Sequence, residues 1–190
     1  CASGMSAIIH AHRAISTGDG DLFVAGGVEN MTRGPFVISK ASKPFGRDSQ
    51  MHDSSFGWRF INSKLKEMYG VDSMGNTAEN LAQKYNISRE DQDKFAYNSQ
   101  IKASNAKKNG RLAMEIVPVV IPQRKKESII FSEDEFIKDK TSVEVLSKLR
   151  TAFKKDNGTV TAGNSSGLND GSAAMLLASE KGIKDNNLTP

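Results

Sequence analysis

The residues best suited to chemistry stand near the two ends of the 190-residue chain. At one end is its single cysteine, Cys1, ahead of Ala2-Ser3-Gly4 in the stretch CASGMSAIIHAHRAI. Met5, Ile8, Ile9, His12 and Ile15 recur at steps of three and four, which predicts a helix over residues 2–15. A thiol in front of a helix meets free N–H groups and the positive end of the helix dipole, and both favour the nucleophilic thiolate. The small residues behind it would let a substrate carbonyl approach the helix end closely. Against this stands the commoner fate of a lone cysteine, an inert small residue in a core, and the residue pattern leaves both open. At the other end lies GTVTAGNSSGLNDGSAAMLLAS, whose first half is rich in Gly, Ser and Asn. A Gly-rich turn alone is a weak sign of cofactor binding. Between Lys102 and Lys155 fall 13 of the 26 Lys and Arg residues, against 7 acidic ones. That excess suits an acidic partner such as nucleic acid or a phosphorylated cofactor, and it equally suits a solvated surface. His10 and His12, two apart, do not share a helix face, and with His52 they read as structural or surface residues. No His, Cys or acidic pair has metal-site spacing, so no metal is expected.

These residues need elements to hold them. Thr17-Gly18-Asp19-Gly20 stops the first helix, and LFVAGG (22–27) follows as a short buried strand. Helix, tight turn and buried strand are the rhythm of an α/β layered fold. From Met31 to about Met68 the periodicity fades into loop, with a short helix in INSKLKEMYG. Asn76 and Glu79 read as the capping box of a helix running through Leu81 and Tyr85. Ser88-Arg89-Glu90-Asp91 caps a longer helix with Phe95, Ser99, Ala103 and Ala106 on one face and Gly110 after its end. EIVPVVI and ESIIF read as strands, the first an edge because of Pro118. Thr141 and Glu144 read as the capping box of a small helix to Leu149. AAMLLAS is a second buried strand. The expected organisation is thus apolar α/β at both ends with a long polar and basic insertion between them, and such insertions are usually functional.

Composition sets outer bounds. Hydrophobic residues are 37% and charged residues 25%, ordinary for a globular chain. No apolar run approaches the roughly 20 residues that span a bilayer, so no membrane is expected. One cysteine makes no internal disulfide, which fits a reducing, cytoplasmic compartment. A chain starting on cysteine raises two options. Either Cys1 is a processed terminus whose own α-amine serves as base, as in N-terminal nucleophile hydrolases, or the chain is a middle piece of something longer. The first option leaves VAGGVENM and the basic insertion unused.

The order of motifs favours the second. CASGMSAIIHAHRAI followed by GDGDLFVAGGVENMTRGPF resembles the nucleophile helix and next strand of the thiolase family. The likeness runs on through SMGNTAENLAQKYNISREDQDKFAYNSQIKA, GRLAMEIVPVVI, DEFI, LRTAF and NGTVTAGNSSGLNDGSAA, in order, over nearly the whole chain. GWRFINSKLKEMYGVDSM is similar to the 3-oxoacyl-CoA and β-ketoadipyl-CoA members more than to the biosynthetic acetoacetyl-CoA ones. The resemblance implies a partial thiolase-like layered α/β fold, half of one core layer plus an inserted loop domain. Residues 1–30 and 169–190 would form the core half and 31–168 the coenzyme A-binding insertion. It also implies the reaction: thiolytic cleavage of 3-oxoacyl-CoA, or the reverse condensation, through an acyl-cysteine on Cys1. Coenzyme A would be a substrate, with no tightly bound cofactor, and the enzyme a homodimer or homotetramer, with VAGGVENM near the dimer contact and no nucleic acid partner.

By the same resemblance, Ala162, Ser166, Gly167 and Leu168 would line the pantetheine channel and Phe153 would pack near it. Ser73 and Met74 fall where the family contacts the thiol end of the coenzyme. Lys138 falls where many relatives place an arginine near the adenine; lysine keeps the charge and loses the planar stacking group. Ser73 replaces a histidine of the biosynthetic enzymes, and Val145 a serine of some relatives. The family's NEAF asparagine, GHP histidine and CxGGG cysteine have no counterpart in the sequence, so the 190 residues alone are expected to be inactive. The alternatives are a condensing enzyme acting on acyl-carrier protein and a non-catalytic coenzyme A-binding or assembly fragment.

Overall fold

The computed structural model describes residues 2–55 and 57–190. In chain order its elements are α1 (Ser3–Thr17), β1 (Leu22–Glu29), β2 (Phe36–Ile38), β3 (Met51–Asp53), α2 (Ser63–Tyr69) and α3 (Met74–Tyr85). There follow α4 (Arg89–Lys108), β4 (Val119–Ile121), β5 (Ile129–Phe131), α5 (Val143–Ser147), β6 (Gly171–Ala178) and α6 (Glu180–Asp185). They divide into two compact units. One holds the residues up to Phe60 with Leu168–Pro190, and the other holds Ile61–Gly167.

The first unit is an antiparallel pair of strands with a helix on it. β1 and β6 pair over their full length, Leu22 opposite Ala178 and Glu29 opposite Gly171, and α1 packs on β1. The contact is close because its residues are small. A Cβ on Gly27 would sit 2.9 Å from the Cα of Gly4, so helix and strand meet backbone to backbone. The inward stripe of α1 is consequently Gly4, Ala7, Ile8, Ala11 and Ile15, with Ala11 buried. Of the residues whose spacing predicted the helix, Ile8 and Ile15 lie on this stripe, while Met5, Ile9 and His12 are exposed. Gly4 serves this packing. Gly18, at φ 79°, ends the helix in a left-handed turn whose N–H groups return to Ala14 and Ile15. α6, not expected from the sequence, is capped by Ser179, and the Ser179 hydroxyl donates to Asp21 at 2.7 Å.

Two expectations about burial fail. β1 and β6 were read as buried strands, yet of β1 only Ala25 is buried and β6 is mostly exposed. Two strands and one helix cover one sheet face and leave the other bare. The loop expected between 31 and 68 contains a hairpin, β2 against β3, with Phe36 opposite Asp53. Thr32 also ties this segment to Asp170, its N–H at 3.0 Å and its hydroxyl at 2.6 Å from the carboxylate. With these contacts the first compact unit extends to residue 60.

The second unit is built around α3 and α4. Each begins at a serine whose hydroxyl accepts a helix N–H: Ser73 from Asn76 and Ser88 from Asp91. The cap of α3 is therefore three residues earlier than the expected Asn76. In the same way α5 is capped by Ser142, not by Thr141. The buried face of α4 is polar, with Asp93 and Ser104 buried, while Phe95 is 77% exposed. Of the expected face, Phe95 and Ser99 are exposed, while Ala103 and Ala106 are half-buried.

Candidate active site

The Gly-rich segment reaches its place through α3 and α4. Glu79 on α3 is 6% exposed and Asp93 on α4 is 1% exposed. The Glu79 carboxylate accepts the Thr159 N–H at 2.9 and 3.0 Å, the Thr159 hydroxyl at 3.0 Å and the Val160 N–H at 2.8 Å. Asp93 accepts from the Asn164 amide at 3.0 Å and from Arg89 Nε at 2.8 Å. Asn164 also donates to the Thr159 carbonyl at 3.0 Å and accepts the Thr161 N–H at 2.7 Å. The Arg89 guanidinium reaches the carbonyls of Leu146 at 2.6 Å and Leu149 at 3.1 Å. The Thr161 hydroxyl, in a fully buried residue, accepts the N–H groups of Gly163 and Asn164. These bonds supply partners for every group they bury, which the interior requires.

Burial pushes the Glu79 carboxyl up, but the Val160 and Thr159 N–H groups, the Thr159 hydroxyl and the charge of Lys154 outweigh it and hold the group below its ordinary value. Sequence reading missed this cluster. Glu79 looked like a helix cap, and its partners lie 80 residues further along the chain.

The expected coenzyme contacts fall into separate places. Thr151 bridges to Thr161, and the Ala152 N–H donates to the Val160 carbonyl at 2.9 Å, so the Phe153 segment runs beside the turn. The Phe153 ring lies over Gly75, leaving no room for a Cβ there, and so sits against the first turn of α3 beside Ser73 and Met74. Met74, Ala162 and Ser166 are exposed, Ser73 and Gly167 half-buried. Lys138 is exposed and belongs to another part of the unit. Its N–H donates to the Gln100 side chain at 2.8 Å, and its ammonium to the Glu135 carbonyl at 3.3 Å, lying 5.7 Å from the centre of the Phe136 ring. Leu168, exposed, falls in the first unit. Cys1 lies outside the described residues. Two open hollows of about 280 and 300 Å³ occur in the second unit, and none of the expected coenzyme contacts lines either of them.

A helix packed on a paired sheet and a second unit that presents a clamped Gly-rich turn make this a mixed α/β protein. Residues 1–181 match the model of the thiolase N-terminal domain, and the chain belongs to the thiolase family. It is 51% identical over 96% of its length to a β-ketoadipyl-CoA thiolase of Acinetobacter baylyi. It is 48% identical over its whole length to the 3-oxoadipyl-CoA/3-oxo-5,6-dehydrosuberyl-CoA thiolase of Escherichia coli. Among solved structures, human mitochondrial 3-ketoacyl-CoA thiolase superposes over the full chain with a TM-score of 0.84 at 35% identity. The chain spans about half the length of these relatives, 45% and 47% of the two bacterial enzymes and 47% of the human one.

Proposed function

We propose that this chain carries the nucleophile and part of the coenzyme A surface of a thiolase. The observation that carries this reading is the identity of about half of all residues, over nearly the whole chain, to thiolases. In the proposed reaction the Cys1 thiolate attacks the 3-keto carbon of a 3-oxoacyl-CoA. The C2–C3 bond breaks, the departing carbon takes a proton and leaves as acetyl-CoA, and the acyl group remains as a thioester on Cys1. The thiol of a second coenzyme A then attacks that thioester, gives up its proton and releases the shortened acyl-CoA. Splitting the step through a covalent intermediate replaces one difficult reaction by two easier ones. The Cys1 N–H is the candidate oxyanion donor within this chain. The reverse direction condenses two acyl-CoA molecules.

Ser73, Met74, Phe153, Ala162, Ser166, Gly167 and Leu168 are proposed to line the coenzyme path, and Lys138 to meet its nucleotide end. Residues 31–168 would act as the binding insertion between the core segments 1–30 and 169–190. Coenzyme A is substrate rather than a resident cofactor, the enzyme is a homo-oligomer, and it works in the cytoplasm. Among the described residues no helix is long and apolar enough to cross a membrane.

The test is thiolysis of acetoacetyl-CoA by the complete protein, with Cys1→Ser beside it. Wild-type turnover that disappears in the variant, with wild-type Cys1 alkylated by iodoacetamide faster than free cysteine at neutral pH, is the expected result. Undiminished turnover in Cys1→Ser overturns the assignment.

A further inference from the structure

We infer that Glu79 and Asp93 are positioning residues for the coenzyme A-binding turn: two buried carboxylates on different helices that set affinity for the coenzyme without touching the reacting atoms. The inference rests on the reading above, that the turn lines the pantetheine path. Gly163 and Gly167, with the serines and asparagine between them, give the turn wide backbone freedom. A loose turn would have to be ordered each time the coenzyme binds, at the expense of affinity. The structure orders it beforehand. Glu79 takes the N–H groups of Thr159 and Val160, where the turn begins. Asp93 takes the Asn164 amide in its middle, and Asn164 in turn ties the carbonyl of Thr159 to the N–H of Thr161. Through Arg89 the same Asp93 is joined to the carbonyls of Leu146 and Leu149, just ahead of the segment carrying Phe153.

The dependence runs both ways. Carboxylates as enclosed as these are costly without donors, so a turn that drifted away would leave Glu79 without its hydrogen bonds and Asp93 with Arg89 alone. The division of roles is visible in exposure: Ala162 and Ser166 face outward, while the clamping groups face α3 and α4. Nothing in the arrangement brings Glu79 or Asp93 to the outer surface of the turn, where the coenzyme would lie.

The experiment uses the complete protein. Glu79→Gln and Asp93→Asn each turn one acceptor oxygen into an amide group facing an N–H or guanidinium donor. Each is expected to raise KM for coenzyme A by about tenfold, the scale of one lost charged hydrogen bond. Turnover at saturating coenzyme and Cys1 alkylation should stay near wild type, the signature of lost uniform binding. Amide exchange over 159–165 should quicken in the coenzyme-free variants while α1 exchanges as before. Thr159→Val, which removes only one hydroxyl, is expected to raise KM by roughly two- to threefold, and gives the answer if the carboxylate variants fail to fold. Unchanged KM in folded variants, or a fall in turnover at unchanged KM, overturns the inference. A wild type without thiolysis overturns the thiolase reading itself and this inference with it, and that outcome is read before any variant is made.

Discussion

Gly75 shows how tightly the proposed coenzyme surface is fitted at the level of single residues. The Phe153 ring occupies the space a Cβ would need there. Gly75→Ala adds a better helix former in the first turn of α3 but must push the ring aside, and Phe153, itself partly exposed, has solvent to move into. Stability is therefore expected to change by less than about 1 kcal/mol, while KM for coenzyme A rises, because Phe153 no longer stands where the coenzyme would pack. Urea midpoints and steady-state kinetics separate the two effects; an unchanged KM would remove Phe153 from the coenzyme path. Lys138→Glu tests the opposite end of the cofactor. Its ammonium donates to the Glu135 carbonyl and lies over the Phe136 ring, and the residue is exposed, so reversing its charge should leave the fold intact. If the charge meets a phosphate of the coenzyme, KM should rise with turnover unchanged. The candidate contacts of this surface were named in the sequence through long motifs that resemble the thiolase family. The residues that hold them were not. Glu79, Asp93 and Asn164 become partners only when segments 70 to 80 residues apart meet, and local pattern carries no record of such a meeting.

Helix boundaries were legible where the cap is local and ambiguous where several polar residues compete. Ser88 was readable because Asp91 stands three residues on; the serine accepts the Asp91 N–H at 3.0 Å and its hydroxyl donates to the Asp91 carboxylate at 2.7 Å. Ser88→Ala is expected to lower stability by about 1 kcal/mol, measured by chemical denaturation, and a change near zero would mean that water replaces the cap. At α3 the capping box read at Asn76 and Glu79 was misplaced: Ser73 caps the helix, and Glu79 turned its acid inward. That inward turn has a pH signature. The Glu79 carboxyl is held below its ordinary 4.5 in the folded state, so the unfolded chain binds its proton more readily. Its contribution to stability is full above about pH 4.5 and is lost as pH falls through the lower, folded value. Glu79→Gln should therefore be less stable than wild type at pH 7, with the gap narrowing on acidification toward pH 3. A gap of constant size would show that hydrogen-bond geometry, not charge, accounts for the difference. The face of α1 was only partly legible, through Ile8 and Ile15, for another reason. Apolar periodicity weights large residues, and this helix packs through Gly4, Ala7 and Ala11 because the strand comes so near.

On the scale of the whole molecule, the first unit exposes what a stable protein would cover. Residues of β1 alternate between the face that carries α1, with Phe23 and Ala25, and the face opposite, with Leu22, Val24 and Val28. Val24 is 76% and Val28 79% exposed, and Leu176 lies beside Val24 in the paired register. α1 adds Met5 and Ile9 on its outer side. An apolar sheet face with no cover is a site of association. Residues 1–190 expressed by themselves are therefore expected to self-associate, eluting well above the 20.6 kDa of one chain and binding a hydrophobic dye. They should also show no thiolysis. The proposed reaction needs an acid/base group to handle the protons of the leaving carbon and the incoming thiol. The three histidines, His10, His12 and His52, lie in no motif that resembles the family's catalytic histidine. Further oxyanion donors are needed too, and the absence of even one costs about 10²–10³ in rate. Size-exclusion chromatography with an acetoacetyl-CoA cleavage assay, run beside the complete protein, decides the matter. A soluble, monomeric and fully active 190-residue chain would show that the bare face is no liability and that the chemistry is self-contained, as a processed N-terminal cysteine with its own amine as base would be.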